Sequence, residues 1–179
     1  DRSGDIEKLR KYSNKKAFEL IVPKLETHNG IKISSSRIRN LLNQGDIIGA
    51  RECLGRDYML SGTVVSGEKL GRKLGYPTAN IRLEYDYPLD GVYLTRTVIE
   101  EKNYVGLASL GNKPTFNGSE KILEVFILDF DEDIYSQNIE VYFLEEIRKQ
   151  IKFSNEDELI KQMNEDHKYA IINSKKYGI

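Results

Sequence analysis

The 179-residue sequence predicts a mainly β protein, preceded by a helical front and finished by a C-terminal helix. Three observations carry that expectation. From Tyr58 onward, short runs rich in Val, Ile, Tyr and Phe are separated by Gly, Asn and Pro, as in all-β barrels and sandwiches. Before Tyr58, apolar residues fall at helical spacings between Ser, Asp and Gly punctuation. After Asn155, one apolar stripe of 3.6-residue period runs to Ile171.

Taken in order, Glu7 to Phe18 has helical character, with Leu9 and Ala17 set among charges. Phe18 to Val22 is an apolar run that predicts a short buried strand, ended by Pro23. Beyond the Gly30 turn, Ser34, Ser35 and Ser36 precede Ile38, Leu41 and Leu42, a Ser cap ahead of helically spaced apolar residues. Gly45 stops that helix, Asp46 caps the next over Ile47 to Leu54, and Gly55 ends it. Strands are predicted at 58–65, 92–99, 103–109, 122–129 and 138–144. Ile122 to Leu128 is apolar on both faces except at Glu124, which suits a strand in a closed core. Asn155 followed by Glu158 resembles a capping box. Leu159, Ile160, Met163, His167, Ala170 and Ile171 form the stripe of a helix predicted to cover an open end of the barrel.

Composition excludes several classes. A chain with 39% hydrophobic and 31% charged residues can bury a core, so global disorder does not fit. A mean hydropathy of -0.52, with no apolar run near the roughly 18 residues that span a bilayer, argues against a membrane protein. No signal peptide is visible, and the single Cys53 excludes an internal disulfide, so a reducing cytoplasm is expected. Two histidines, His28 and His167, leave no room for His-rich metal sites. The two methionines are Met59 and Met163, so a missing upstream part is expected. Residues 1–57 hold 12 Lys/Arg against 8 Asp/Glu and residues 58–179 hold 15 against 20. That asymmetry reads as ordinary solvated surface or as a basic front near nucleotide phosphates, and it is too weak for a nucleic-acid partner.

Two features carry chemistry. In SGEKLGRKLGYPTAN, residues 66–80, Gly67, Gly71 and Gly75 recur every four residues, which suits positive φ or close backbone approach to a ligand. Lys69, Arg72 and Lys73 add charge that could meet phosphate, yet the spacing is neither a Walker A loop nor a dinucleotide fingerprint, and a plain hairpin connection fits equally. After Pro77, Thr78 and Asn80 stand two apart, so in an extended segment both point one way and could serve one hard cation such as Mg²⁺. The alternative is a turn in which both bond their own backbone. The second feature is Glu124, a carboxylate between Ile122 and Phe126 on one strand face, where it is costly to desolvate. Such a group can act as general base toward a hydroxyl, or it can pair with Arg148 or a Lys at the barrel rim.

GRKLGYPTAN, PLDGVY at 88–93, SLGNKPTF at 109–116, LEVFILDFDEDIY at 123–135 and IRKQIKF at 147–153, with Asp166 beyond, resemble the riboflavin kinase family in sequence and order over roughly 56–171. ISSSRIRNLL at 33–42 and the following GDIIGARECLGRDY resemble the junction in bacterial bifunctional riboflavin kinase/FAD synthetases. The resemblance implies a closed antiparallel Greek-key barrel with a C-terminal helix over 56–179. It also implies that 1–55 is the α/β remnant of a Rossmann-like FMN adenylyltransferase module, covalently preceding the kinase in a longer protein. FAD synthesis is then not expected of this chain alone, and Ser35, Ser36, Arg37 and Arg39 are left to capping and surface charge.

The implied reaction transfers the γ-phosphoryl group of ATP to the ribityl 5′-hydroxyl of riboflavin, giving FMN and ADP with Mg²⁺. The resemblance assigns the loop of Gly67, Lys69, Gly71, Arg72, Gly75 and Pro77 to ATP phosphates, Thr78 and Asn80 to metal and phosphate oxygens, and Glu124 to the catalytic carboxylate. Pro114, Phe116 and residues near Arg148 are implied walls of the flavin slot. Two positions depart from the family pattern, Phe126 where His is frequent and Gln150 where an acidic residue is frequent. They motivate the other reading, a flavin- or nucleotide-binding regulator without turnover.

Overall fold

A computed structural model of the chain describes residues 5–16, 18–67, 70–115 and 118–179. They fall into two compact units, divided between Ile33 and Ser34. In the first, α1 spans Ile6–Lys16, and the two-residue strands β1 (Thr27–His28) and β2 (Ile31–Lys32) pair as a hairpin. Its turn residues Asn29 and Gly30 both have positive φ, 53° and 73°, as a tight two-residue hairpin turn demands. The strand expected at Phe18–Val22 does not form: these residues belong to no regular element, and Ile21 is 76% exposed. An apolar run becomes a buried strand only where a sheet can pair it, and among the described residues of this unit the only ladder is the two-residue hairpin.

The second unit opens with α2 (Ser35–Asn43), whose cap Ser34 accepts from the Arg37 N–H at 3.2 Å, and α3 (Ile47–Leu54), capped by Asp46 through the Gly49 N–H at 2.8 Å. Gly55 ends α3 with φ 69°. The chain then runs through β3 (Tyr58–Val65), the single helical turn α4 (Leu70–Lys73), β4 (Thr78–Arg82), β5 (Gly91–Ile99), β6 (Lys102–Thr115), β7 (Gly118–Ile127), β8 (Asn138–Arg148) and α5 (Glu156–Ser174). The strands close in the order β3-β4-β7-β6-β5-β8, all antiparallel. β5, β6 and β7 are sequential neighbours and β8 returns beside β5, which is the Greek-key order.

One face of every strand fills the barrel. Val64, Ala79, Ile81, Tyr93, Ala108, Leu110, Leu123, Val125, Ile139, Val141 and Phe143 belong to a single buried cluster. Leu42, Ile47 and Ala50 of α2 and α3 belong to it too, so this helix pair packs with the barrel interior. The expected place of the C-terminal helix is corrected: Ala170 of α5 packs with Leu94, Leu107, Leu128 and Leu144, and on β5, β6 and β8 these alternate with interior residues. α5 therefore lies on the outer wall, not over an open end. Its inward stripe is also shifted: Ile171 is half exposed, while Asp166 and Ser174 are buried at 4% exposure. Asn155 caps it as expected, accepting from the Glu158 N–H while Glu158 reaches back to the Ser154 N–H, each at 2.9 Å.

Candidate active site

Strand β4, absent from the predicted strands, organises the site. Pro77 and Asn80 look like turn residues in sequence, yet Thr78–Arg82 is paired on both sides, with β3 and with β7. Directly opposite residues in antiparallel pairs share a face. The register therefore lays one row across five strands, Asn80 opposite Glu124, Glu124 opposite Ser109, Ser109 opposite Val92, and Val92 opposite Arg148. A second row sets Thr78 opposite Phe126 and Phe126 opposite Leu107. Both rows alternate with the interior residues Ala79, Leu123, Val125 and Ala108, so they lie on the outer wall, the one faced by α5.

Two clefts meet there. The first, about 200 Å³, has Glu124, Ser109, Leu107 and Phe126 from the barrel, Tyr76 from the loop, and Leu159 and Met163 from α5. The second, about 270 Å³, is lined by Gly67, Arg72 and Pro77 on one side and by Asp131, Glu132, Asp133 and Tyr135 on the other. Thr78 and Asn80 line both, so β4 is the shared wall. Glu124 is half-buried and faces only the first.

The loop glycines divide by physical role. A Cβ on Gly67 would stand 2.5 Å from the Asn80 amide nitrogen, and one on Gly71 would run into the Tyr76 carbonyl, so both positions need close approach. Gly75 instead takes φ 85° with open space around it. The Asn80 Nδ2 donates to the Thr78 carbonyl at 3.3 Å, and because a carbonyl only accepts, this fixes which end of the amide faces the backbone. The self-bonding half of the turn alternative is thus present, inside a strand rather than a turn.

Tyr76 joins the loop to the helix. Its hydroxyl donates to Asn164 Oδ1 at 2.6 Å, and its ring meets Phe126 edge-on at 5.1 Å and His167 at 6.0 Å. Burial, with the Asp166 charge nearby, pushes the Tyr76 phenol up from its ordinary value. Arg148, one of the partners expected for Glu124, pairs with Asp166. Its Nε lies 3.1 Å from both Asp166 oxygens and its Nη2 2.8 Å from Oδ2, and Gln162 donates to the same carboxylate at 3.0 Å. A buried carboxylate so fully matched is tolerated in low dielectric, and it ties α5 to the end of β8.

Of the predicted site residues, the structure gathers Gly71, Thr78, Asn80, Glu124 and Arg148 around the first cleft and Gly67, Arg72, Pro77, Thr78 and Asn80 around the second. Gly75 lines neither. Lys69 and Phe116 lie outside the described residues, as does the side chain of Pro114. Sequence reasoning leaves out Ser109, Tyr76, Leu159 and Met163; only the strand register and the packing of α5 bring them in.

A family model described as flavokinase, riboflavin kinase, matches residues 54–172. The chain belongs to the riboflavin kinase family. Bifunctional riboflavin kinase/FMN adenylyltransferases are its relatives: that of Buchnera aphidicola subsp. Schizaphis graminum is 39% identical, across 92% of this chain and 54% of the relative. That of Haemophilus influenzae is 42% identical, across 75% of this chain and 44% of its own length. This riboflavin kinase family chain spans about half the length of the curated relatives it matches. A crystal structure from Streptococcus pneumoniae, described as a macrolide-efflux protein, superposes with a TM-score of 0.79 at 37% identity, over 92% of this chain and 54% of that one.

Proposed function

We propose that this chain is an ATP:riboflavin 5′-phosphotransferase, producing FMN and ADP. The observation that carries the reading is the direct pairing of Asn80 with Glu124 where an apolar cleft meets a polar one. The apolar cleft suits a fused aromatic ring held between Phe126, Leu107 and Met163. The second cleft offers Arg72 and the Gly67 backbone to phosphates.

Glu124 accepts the proton of the ribityl 5′-hydroxyl as that oxygen bonds to the γ-phosphorus. The bond between the γ-phosphorus and the bridging oxygen breaks, and ADP leaves with the electron pair. No group of three His, Cys, Asp or Glu side chains among the described residues is arranged to hold a metal. The donor set that fits a magnesium ion is Thr78 Oγ1 and Asn80 Oδ1, neutral oxygens on one face, completed by nucleotide phosphates. When bound, Mg²⁺ would neutralise charge on the transferring phosphoryl group. Thr78 and Asn80 would set its place beside the wall between the clefts, and α5 with Tyr76 would keep water from the acceptor hydroxyl.

Incubation with riboflavin, ATP and Mg²⁺ should give FMN by chromatography. Riboflavin binding without FMN would favour the regulator reading instead. No helix among the described residues is long and apolar enough to cross a membrane. A cytoplasmic reaction is part of this proposal and rests on the single Cys53, which suits a reducing compartment. Adenylylation of FMN, the second activity in the relatives' names, belongs in this proposal to the adenylyltransferase module that 1–55 would close.

A further inference from the structure

Gln150, just beyond β8, reaches back across the outer wall. Its Nε2 lies 3.2 Å from the Gly91 carbonyl, 3.1 Å from the Leu110 carbonyl and 3.1 Å from Ser109 Oγ. Both carbonyls can only accept, so the amide nitrogen, not its oxygen, must face them. The fit is close: a Cβ on Gly111 would stand 3.1 Å from the same nitrogen. The two amide hydrogens are shared among these three acceptors, and since the amide nitrogen cannot accept, the Ser109 proton is donated elsewhere. Ser109 lines the first cleft and is the direct cross-strand neighbour of Glu124. Neighbouring strands stand roughly 4.8 Å apart, so the Ser109 backbone is about one strand spacing from that of Glu124, the residue that marks the acceptor's terminal hydroxyl.

We propose that Ser109, oriented by Gln150, donates a hydrogen bond to an inner hydroxyl of the acceptor's polyol chain, and so selects a hydroxylated chain over a bare alkyl one. The assignment rests on the phosphotransferase reading and adds to it a residue for the middle of the acceptor chain. An acceptor lacking inner hydroxyls would leave the Ser109 donor unpaired in the cleft, which is a stronger source of rejection than a missing apolar contact. Gln150 acts only through Ser109 and is a positioning residue.

The test compares riboflavin with the flavin that carries a 5-hydroxypentyl chain at the same ring position, in the full chain with ATP and Mg²⁺. Ser109→Ala should lower kcat/KM for riboflavin about 5- to 20-fold and leave the pentyl flavin within about twofold, since one hydrogen bond is at stake. Ser109→Thr, which keeps the hydroxyl, should restore the preference, and thermal melting should confirm that each variant is folded. Gln150→Ala should cost riboflavin preference in the wild type and nothing further in the Ser109→Ala background. Equal losses for both flavins in Ser109→Ala, or a Gln150→Ala effect that adds in full to it, would overturn the assignment while wild-type turnover still supports the kinase. Absence of FMN from the wild type would overturn the kinase reading, and this assignment with it.

Discussion

The two faces of the same strands do different work. On β7, Leu123 and Val125 point into the barrel and are fully buried, while Glu124 and Phe126 between them line a cleft. On β4, Ala79 and Ile81 pack inward, while Thr78 and Asn80 separate the two clefts. The interior needs close packing and tolerates no unmatched charge, whereas the outer row needs polar groups held at fixed spacing. A period of two residues satisfies both at once: the inner residue of each pair fixes where the outer one stands. The barrel is thus a scaffold whose exterior, not its interior, carries the proposed site.

Single substitutions on neighbouring residues should sharpen that contrast. The largest effect is expected from Glu124→Gln, which keeps shape and removes the proposed base: kcat should fall about 10²- to 10⁴-fold while riboflavin binding, read by flavin fluorescence, changes little. Next is Leu123→Ala on the inner face, which should cost about 2–5 kcal/mol of unfolding free energy in urea, with kcat of the folded chain retained. Asn155→Ala removes the cap of α5, the helix that roofs the first cleft. It should cost about 1 kcal/mol and raise the riboflavin KM, because the loosened element is the roof and not the barrel. The smallest effect concerns Tyr177, whose hydroxyl donates to Glu145 at 3.0 Å. Burial first, and the Glu145 bond second, push its phenol up from 10.0 to about 12. Below pH 10 the phenol is protonated in both states; above it the unfolded chain ionises first, so this stabilisation is lost as pH rises from about 10 to 12. Tyr177→Phe should flatten that alkaline slope in melts followed against pH, leaving the slope below pH 9 unchanged.

Much of this was open to reading in the sequence, and the parts that were not share one cause. Local chemistry was legible: the caps Ser34, Asp46 and Asn155 act as their types predict, because a cap needs only its own first turn. The strands around 58–65, 92–99 and 138–144 follow from β-rich runs set between Gly, Asn and Pro. Thr78 and Asn80 stand out as oxygen donors two apart, and Glu124 as a carboxylate in an otherwise apolar strand. What was hidden depends on pairing. β4 is hidden because Pro77 and Asn80 outweigh Thr78, Ala79, Ile81 and Arg82, and only its pairing with β3 and β7 makes it a strand. Ser109 looks like any strand serine until the register sets it beside Glu124. Phe18–Val22 fails for the same reason in reverse, being apolar enough for a strand while the described residues of its unit pair only as a two-residue hairpin. The pairing of Arg148 with Asp166 could not be read without knowing that α5 lies on the outer wall.

The division between faces can be tested on adjacent residues in one set of preparations. Unfolding free energy in urea and kcat for FMN formation are measured for Glu124→Gln, Leu123→Ala and the double variant. The outer change should appear only in kcat and the inner change only in stability, with each effect unaltered when the two are combined. Undiminished turnover in Glu124→Gln, or a loss of unfolding free energy in that variant as large as in Leu123→Ala, would contradict it.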